Sequence, residues 1–149
     1  MDNDVNATRT VSETQIAFGR RIGLELSDKS IGVAQAMIND AIQQGFFGRN
    51  DLGTPTPKQI ELAMKFGIDI AQATRGVGDA TIADIMYQLN QNAIAEQKLK
   101  PGINVVNRHD ALGIVRTVSS IAEDGTVYFK GGNGARAWAR SLIRTDNKA

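Results

Sequence analysis

The amino-acid sequence predicts an α+β protein. A tandem αα-hairpin repeat, forming a small helical bundle, is followed by a small β unit that ends in a basic C-terminal helix. Three observations carry this. Residues 12–42 align without a gap on residues 56–86 at an offset of 44, and eight of 31 pairs are identical: Gln15/Gln59, Ile16/Ile60, Gly23/Gly67, Gly32/Gly76, Val33/Val77, Ala36/Ala80, Ile38/Ile82 and Asp40/Asp84. A fixed-period repeat of this kind defines a structural unit. Each copy opens on hydroxyl-x-x-Gln, a helix-start signature. After Pro101-Gly102 the texture changes to β-branched runs separated by turn residues. Three segments follow: a flexible N-terminal tail over 1–11, the repeat over 12–100 with copies at 12–44 and 56–98, and the β unit over 101–149.

In each copy Ser12-Glu-Thr-Gln15 or Thr56-Pro-Lys-Gln59 fits a capping box, which explains the recurring Gln without a ligand. Pro57 falls at the first helical position, where its missing N–H costs nothing. Small residues at Gly19 and Ala63 make room for close approach by another helix. Gly23 and Gly67 stand where a left-handed residue ends each first helix. After the apolar pairs Leu24/Leu26 and Ile68/Ile70, Ser30 and Thr74 are the expected N-caps of the second helices. Their apolar sides are Val33, Ala36, Met37 and Ala41 in one copy, and Val77, Ala80, Ile85 and Leu89 in the other. The second copy runs on towards Lys98 until Pro101-Gly102 stops it. In the linker between the copies, Phe46 and Phe47 are expected to plug the bundle.

In the last third, Ile103–Val106 and Leu112–Val118 read as strands, and Glu123-Asp124-Gly125 turns the second of them into Thr126–Phe129. Residues 135–144 fit two patterns. A strand leaves only Ala135, Ala137 and Ala139 facing a core. A helix capped by Asn133 gathers Trp138, Leu142 and Ile143 on one face and Arg136, Arg140 and Arg144 on the other, so a helix with Trp138 in the core is predicted. The pattern "PG..V.N....LG.V..VSSI..DGTVYFKGG" resembles the small SH3-like or KOW-like β-barrels, many of which bind nucleic acid while others bind peptides or assist assembly. The terminal helix departs from the last barrel strand of that group. The hydroxyl-x-x-Gln helical repeat resembles modules of uncharacterised phage and plasmid proteins.

Composition narrows the function classes. The chain has no cysteine, which removes disulfides, thiol nucleophiles and thiolate metal sites. Its polar start lacks the apolar core of a signal peptide, and no apolar run approaches the roughly 20 residues that span a bilayer, so a cytoplasmic location and no membrane partner are expected. His109, the single histidine, has Asp110 beside it but lacks the further ligands a metal needs. Asp40 and Asp84 are read as helix-surface carboxylates beside basic residues. No catalytic residue, metal or cofactor is therefore predicted, and the protein is not expected to be an enzyme.

Charge is uneven. Residues 1–100 hold ten Lys/Arg and twelve Asp/Glu, whereas residues 101–149 hold seven and four. That basic part points to an anionic partner. Guanidiniums of Arg136, Arg140 and Arg144 one helical turn apart match a row of phosphates, with Trp138, Tyr128 and Phe129 near enough to stack on bases. Gly131, Gly132, Asn133 and Gly134 read either as a tight turn of positive-φ residues or as a backbone cradle for an oxyanion, flanked by Lys130 and Arg136. With Arg108 and Arg116, these residues make up the expected nucleic-acid-binding set. The expected function is non-enzymatic binding of DNA or RNA through phosphates. The alternative is a protein-interaction, adaptor or inhibitor module, phage or mobile-element encoded, that docks on a larger complex or on its own copies through Phe46, Phe47 or Trp138.

Overall fold

The computed structural model describes residues 9–145. It is an α+β structure with helices α1 (Glu13–Arg21), α2 (Ile31–Phe47), α3 (Pro57–Lys65) and α4 (Arg75–Gln97). Five strands follow: β1 (Asn104–Asn107), β2 (Arg116–Ile121), β3 (Thr126–Phe129), β4 (Arg136–Trp138) and β5 (Leu142–Arg144). The chain forms two compact units, Met1–Met86 and Tyr87–Ala149, with the boundary inside α4. Among the described residues no helix is long and apolar enough to cross a membrane.

In the first unit the local chemistry of the two copies is matched. The Ser12 and Thr56 side chains accept from the Gln15 and Gln59 amides, and each Gln side chain accepts in return from its cap's backbone N–H. Each Gln then does a second job. Gln15 Nε2 donates to Gln35 Oε1 (3.2 Å), and Gln59 Nε2 donates to Asp79 Oδ1 (2.7 Å), the corresponding position of the second copy. One amide thus starts the first helix and ties it to the second. Asp79 is held below the ordinary carboxylate range by that bond and by Arg75. Ser30 and Thr74 cap α2 and α4 as expected.

Gly23 and Gly67 take the left-handed conformation (φ 87° and 78°) that lets the chain turn back on itself. The space at Gly19 serves a different neighbour from the one expected: a Cβ there would lie 2.6 Å from Leu26 Cδ1, so the loop leucine of the same copy, rather than another helix, occupies it. Leu26 joins Val11, Ala34 and Ile38 in a buried cluster. The buried stripe of α2 is accordingly Ala34 and Ile38, with Val33, Ala36, Met37 and Ala41 half-buried beside it. Asp40 accepts from the Thr74 hydroxyl, and Asp84 pairs with Arg9 at 3.5 Å. Of the expected tail, residues 1–8 lie outside the described residues, while the Arg9 carbonyl accepts from the Ile31 amide and Val11 is buried.

Phe46 and Phe47 are not plugs. They are 76% and 67% exposed, because the last turn of α2 runs beyond the buried stripe that ends at Ile38 and the half-buried Ile42.

The second unit is a sheet of order β4-β3-β2-β1-β5, antiparallel throughout. A hairpin forms around the expected Asp124-Gly125 turn, with Ala122 N–H donating to the Thr126 carbonyl. Its first strand is Arg116–Ile121 and not the expected Leu112–Val118, residues 112–115 being exposed and unpaired in the sheet. Thr126 N–H donates to Asp124 Oδ1 (2.9 Å), and this holds the Asp124 carboxyl below its ordinary range.

The expected basic C-terminal helix over 135–144 is overturned. Residues Arg136–Trp138 pair with β3, Ala139–Ser141 make one 3₁₀ turn, and Leu142–Arg144 pair with β1. Two causes decide it. A helix would leave the free edges of β1 and β3 without partners for their backbone groups. Asn133, the supposed N-cap, has φ 65°, whereas a cap needs an extended backbone. The small inward residues that argued against a strand are tolerated because larger ones fill the core: Ala139 is wholly buried beside Leu99, Val105, Val118, Val127 and Phe129. Trp138 is correspondingly 44% exposed, not a core residue.

One polar side chain fastens this unit. Asn90, 1% exposed on α4, donates from Nδ2 to the Asp124 carbonyl (3.2 Å). Its Oδ1 accepts from Arg140 N–H (3.1 Å) and Arg140 Nη1 (3.2 Å). Gly125 has φ 94° and lies so close that a Cβ would stand 2.4 Å from Asn90 Cβ, so only glycine fits.

Candidate functional site

The loss of the terminal helix disperses the arginine stripe. Arg140 lies in the 3₁₀ turn, bonded to Asn90, with its guanidinium carbon 5.1 Å from the Trp138 ring centroid. Burial pulls that guanidinium below its ordinary pKa. Arg144 on β5 donates through Nη1 to the carbonyls of Gln97 (3.3 Å) and Lys98 (3.4 Å), so it caps the C-terminal end of α4. Both arginines hold the fold.

Arg108, Arg116, Lys130 and Arg136 are exposed. Among the described residues no carboxylate comes within the 4.0 Å of an ion pair with any of them. Gly131, Gly132, Asn133 and Gly134 form an exposed turn with φ of 110°, 73°, 65° and 71°. Four successive positive values explain its composition as a turn, and without a following helix no helix dipole reinforces it.

Arg116 and Arg136 are brought together at a cleft of about 340 Å³ in the second unit. Its floor is Val105, Phe129 and Leu142, which also belong to the core. Ile114, Ala135 and Ala137 line it further, and Asn107 and Asp110 add polar groups. The Arg116 guanidinium carbon lies over the Phe129 ring, 5.7 Å from its centroid, within the range of a cation–π contact. Asp110 is committed to its own loop: its two oxygens accept from the Leu112 (3.0 Å) and Ile114 (3.1 Å) amides. Asn107 Oδ1 accepts from the His109 amide (2.9 Å), which leaves the Nδ2 donors for a ligand. Arg108 and Lys130 lie outside the cleft lining.

The two arginines were legible in the sequence as cations, and Phe129 as an aromatic near the basic residues; Asn107 and Ile114 were not legible as their neighbours. Asn107 ends β1, Ile114 lies in the β1–β2 connection and Phe129 ends β3, and only strand pairing unites them. Among the described residues no cluster of three His, Cys, Asp or Glu that could hold a metal is present. Comparison with protein-family models, curated proteins and solved structures finds no match to this chain.

Proposed function

We propose that this chain is a non-enzymatic nucleic-acid-binding protein that contacts phosphates through its C-terminal unit. The observation that carries the reading is the set of four exposed cations, Arg108, Arg116, Lys130 and Arg136, without carboxylate partners. From Tyr87 to Ala149 the sequence holds nine Lys/Arg and five Asp/Glu, a net +4. Exposed basic groups left unpaired at this density favour polyanions, because each phosphate contact releases condensed counterions. The positive-φ turn at Gly131–Gly134 lets a backbone pass close to Lys130 and Arg136. In this reading the sheet is an SH3-like barrel; the strand order and the 3₁₀ turn between β4 and β5 support that assignment. The helical part is a tandem αα-hairpin repeat serving as scaffold, supported by the paired capping boxes and the matching Gln bridges.

The test is fluorescence anisotropy with labelled duplex DNA, single-stranded DNA and RNA over a salt series. Four phosphate contacts give a log–log salt slope of about −3.6 on duplex DNA and about −2.8 on single strands. Reversing Arg108, Arg116, Lys130 and Arg136 to Glu should abolish binding; full binding by that variant would sink the reading. A second reading has its own observation, the exposure of Phe46 and Phe47 in adjacent positions. It makes the protein an interaction module or homo-oligomer that associates independently of salt and is indifferent to nucleic acid.

A further inference from the structure

The cleft joins features that a phosphate-only site does not need. Its floor is apolar, with Phe129 and Leu142 buried, and Ile114 is 46% exposed. Arg116 offers a flat guanidinium whose carbon lies over an aromatic ring at 5.7 Å, and that side chain is exposed and makes no hydrogen bond among the described residues. Asn107 keeps two donors unspent. Arg136 supplies a second cation at the same cleft, and the one carboxylate present, Asp110, is engaged by backbone amides. A volume of about 340 Å³ falls at the small end of the range for ligand clefts. The complement of such a site is a flat, largely apolar ring with hydrogen-bonding edges and an attached anion, which is the chemistry of a nucleotide.

We propose that the cleft receives one unpaired nucleobase of a single-stranded nucleic acid. The base stacks on the Arg116–Phe129 pair, an Asn107 Nδ2 donor meets an acceptor on its edge, and the adjoining phosphate lies on Arg136. A base inside a duplex is stacked and paired, so it cannot enter; the site selects single strands. This inference rests on the phosphate-binding reading above and adds the base to it.

The experiment compares the full chain's affinity for three labelled probes at one low salt concentration: a single-stranded pyrimidine oligonucleotide, the same sugar–phosphate strand made abasic throughout, and a blunt duplex. Stacking of a base is expected to favour the intact strand over the abasic one by at least about fivefold. Arg116→Lys keeps the charge but loses the flat stacking face, so it should shrink that ratio towards one while leaving the salt slope unchanged. Equal affinity for intact and abasic strands would overturn the base-binding cleft and leave the phosphate reading standing. A preference for duplex would overturn it as well. Absence of binding to every probe would overturn both.

Discussion

Replacing Asn90 tests how the second unit is held together. Asn90→Ala removes the donor to the Asp124 carbonyl and the acceptor shared by Arg140 N–H and Nη1. Each neutral bond is worth about 1 kcal/mol net, and the bond from the guanidinium about 1.5–3 kcal/mol. Two corrections reduce that sum. Arg140 is only partly buried, so water recovers some of its loss. Alanine's better helix propensity in α4 also returns about 0.5 kcal/mol. A destabilisation of about 3 kcal/mol is expected, read from urea unfolding followed by the fluorescence of Trp138, the single tryptophan. Asn90→Leu keeps most of the volume but leaves the same three groups without partners, so it should be no better tolerated than alanine. A loss below about 1 kcal/mol for Asn90→Ala, the scale of an ordinary helix-surface change, would refute the bridging role. Leucine restoring wild-type stability would refute it too, since packing alone would then suffice.

Three further outcomes are expected. Gly125→Ala should cost about 2–5 kcal/mol, from a left-handed residue plus a collision with Asn90, whereas Gly134→Ala, with nothing within 4 Å of the added Cβ, should cost about 1–2 kcal/mol in the same urea assay. The double change Phe46→Ser and Phe47→Ser should alter stability by no more than about 0.5 kcal/mol per site; a loss of about 3–5 kcal/mol per ring would restore the plug interpretation. Asp124, its carboxyl held low by Thr126, stabilises the fold above its unfolded pKa of about 3.9 and loses that contribution as pH falls through the lower folded value. Asp124→Asn should therefore lose less stability than the wild type between pH 5 and pH 2, and superimposable acid limbs would contradict this.

What was readable in the sequence was the part decided within a few residues of itself. The Ser12 and Thr56 capping boxes, the left-handed Gly23 and Gly67 and the Asp124-Gly125 hairpin turn are set by local hydrogen bonds and φ angles, and they stand as expected. Residues 135–144 went the other way because their conformation is set by distant partners: β3 and β1 offered open edges, and no helical periodicity records that offer. Asn90 was invisible for a related reason. An Asn in a polar helical stretch looks like surface until the Asp124 turn and Arg140 close over it. The cleft shares this origin, since cation identity is written locally and cation neighbourhood is not.

The position of the unit boundary inside α4 bears on how this chain can be cut and rejoined. Pro101-Gly102 is the obvious seam, yet a fragment starting there abandons Asn90, the Gln97 carbonyl that receives Arg144, and the apolar contacts of Ala93, Ile94 and Leu99. A fragment starting at Tyr87 carries all of them, at the expense of opening a helix in mid-run. Transplantation of the sheet to another scaffold thus calls for a host that ends in a helix, so that the graft continues the host's last turns instead of beginning with a frayed end of its own.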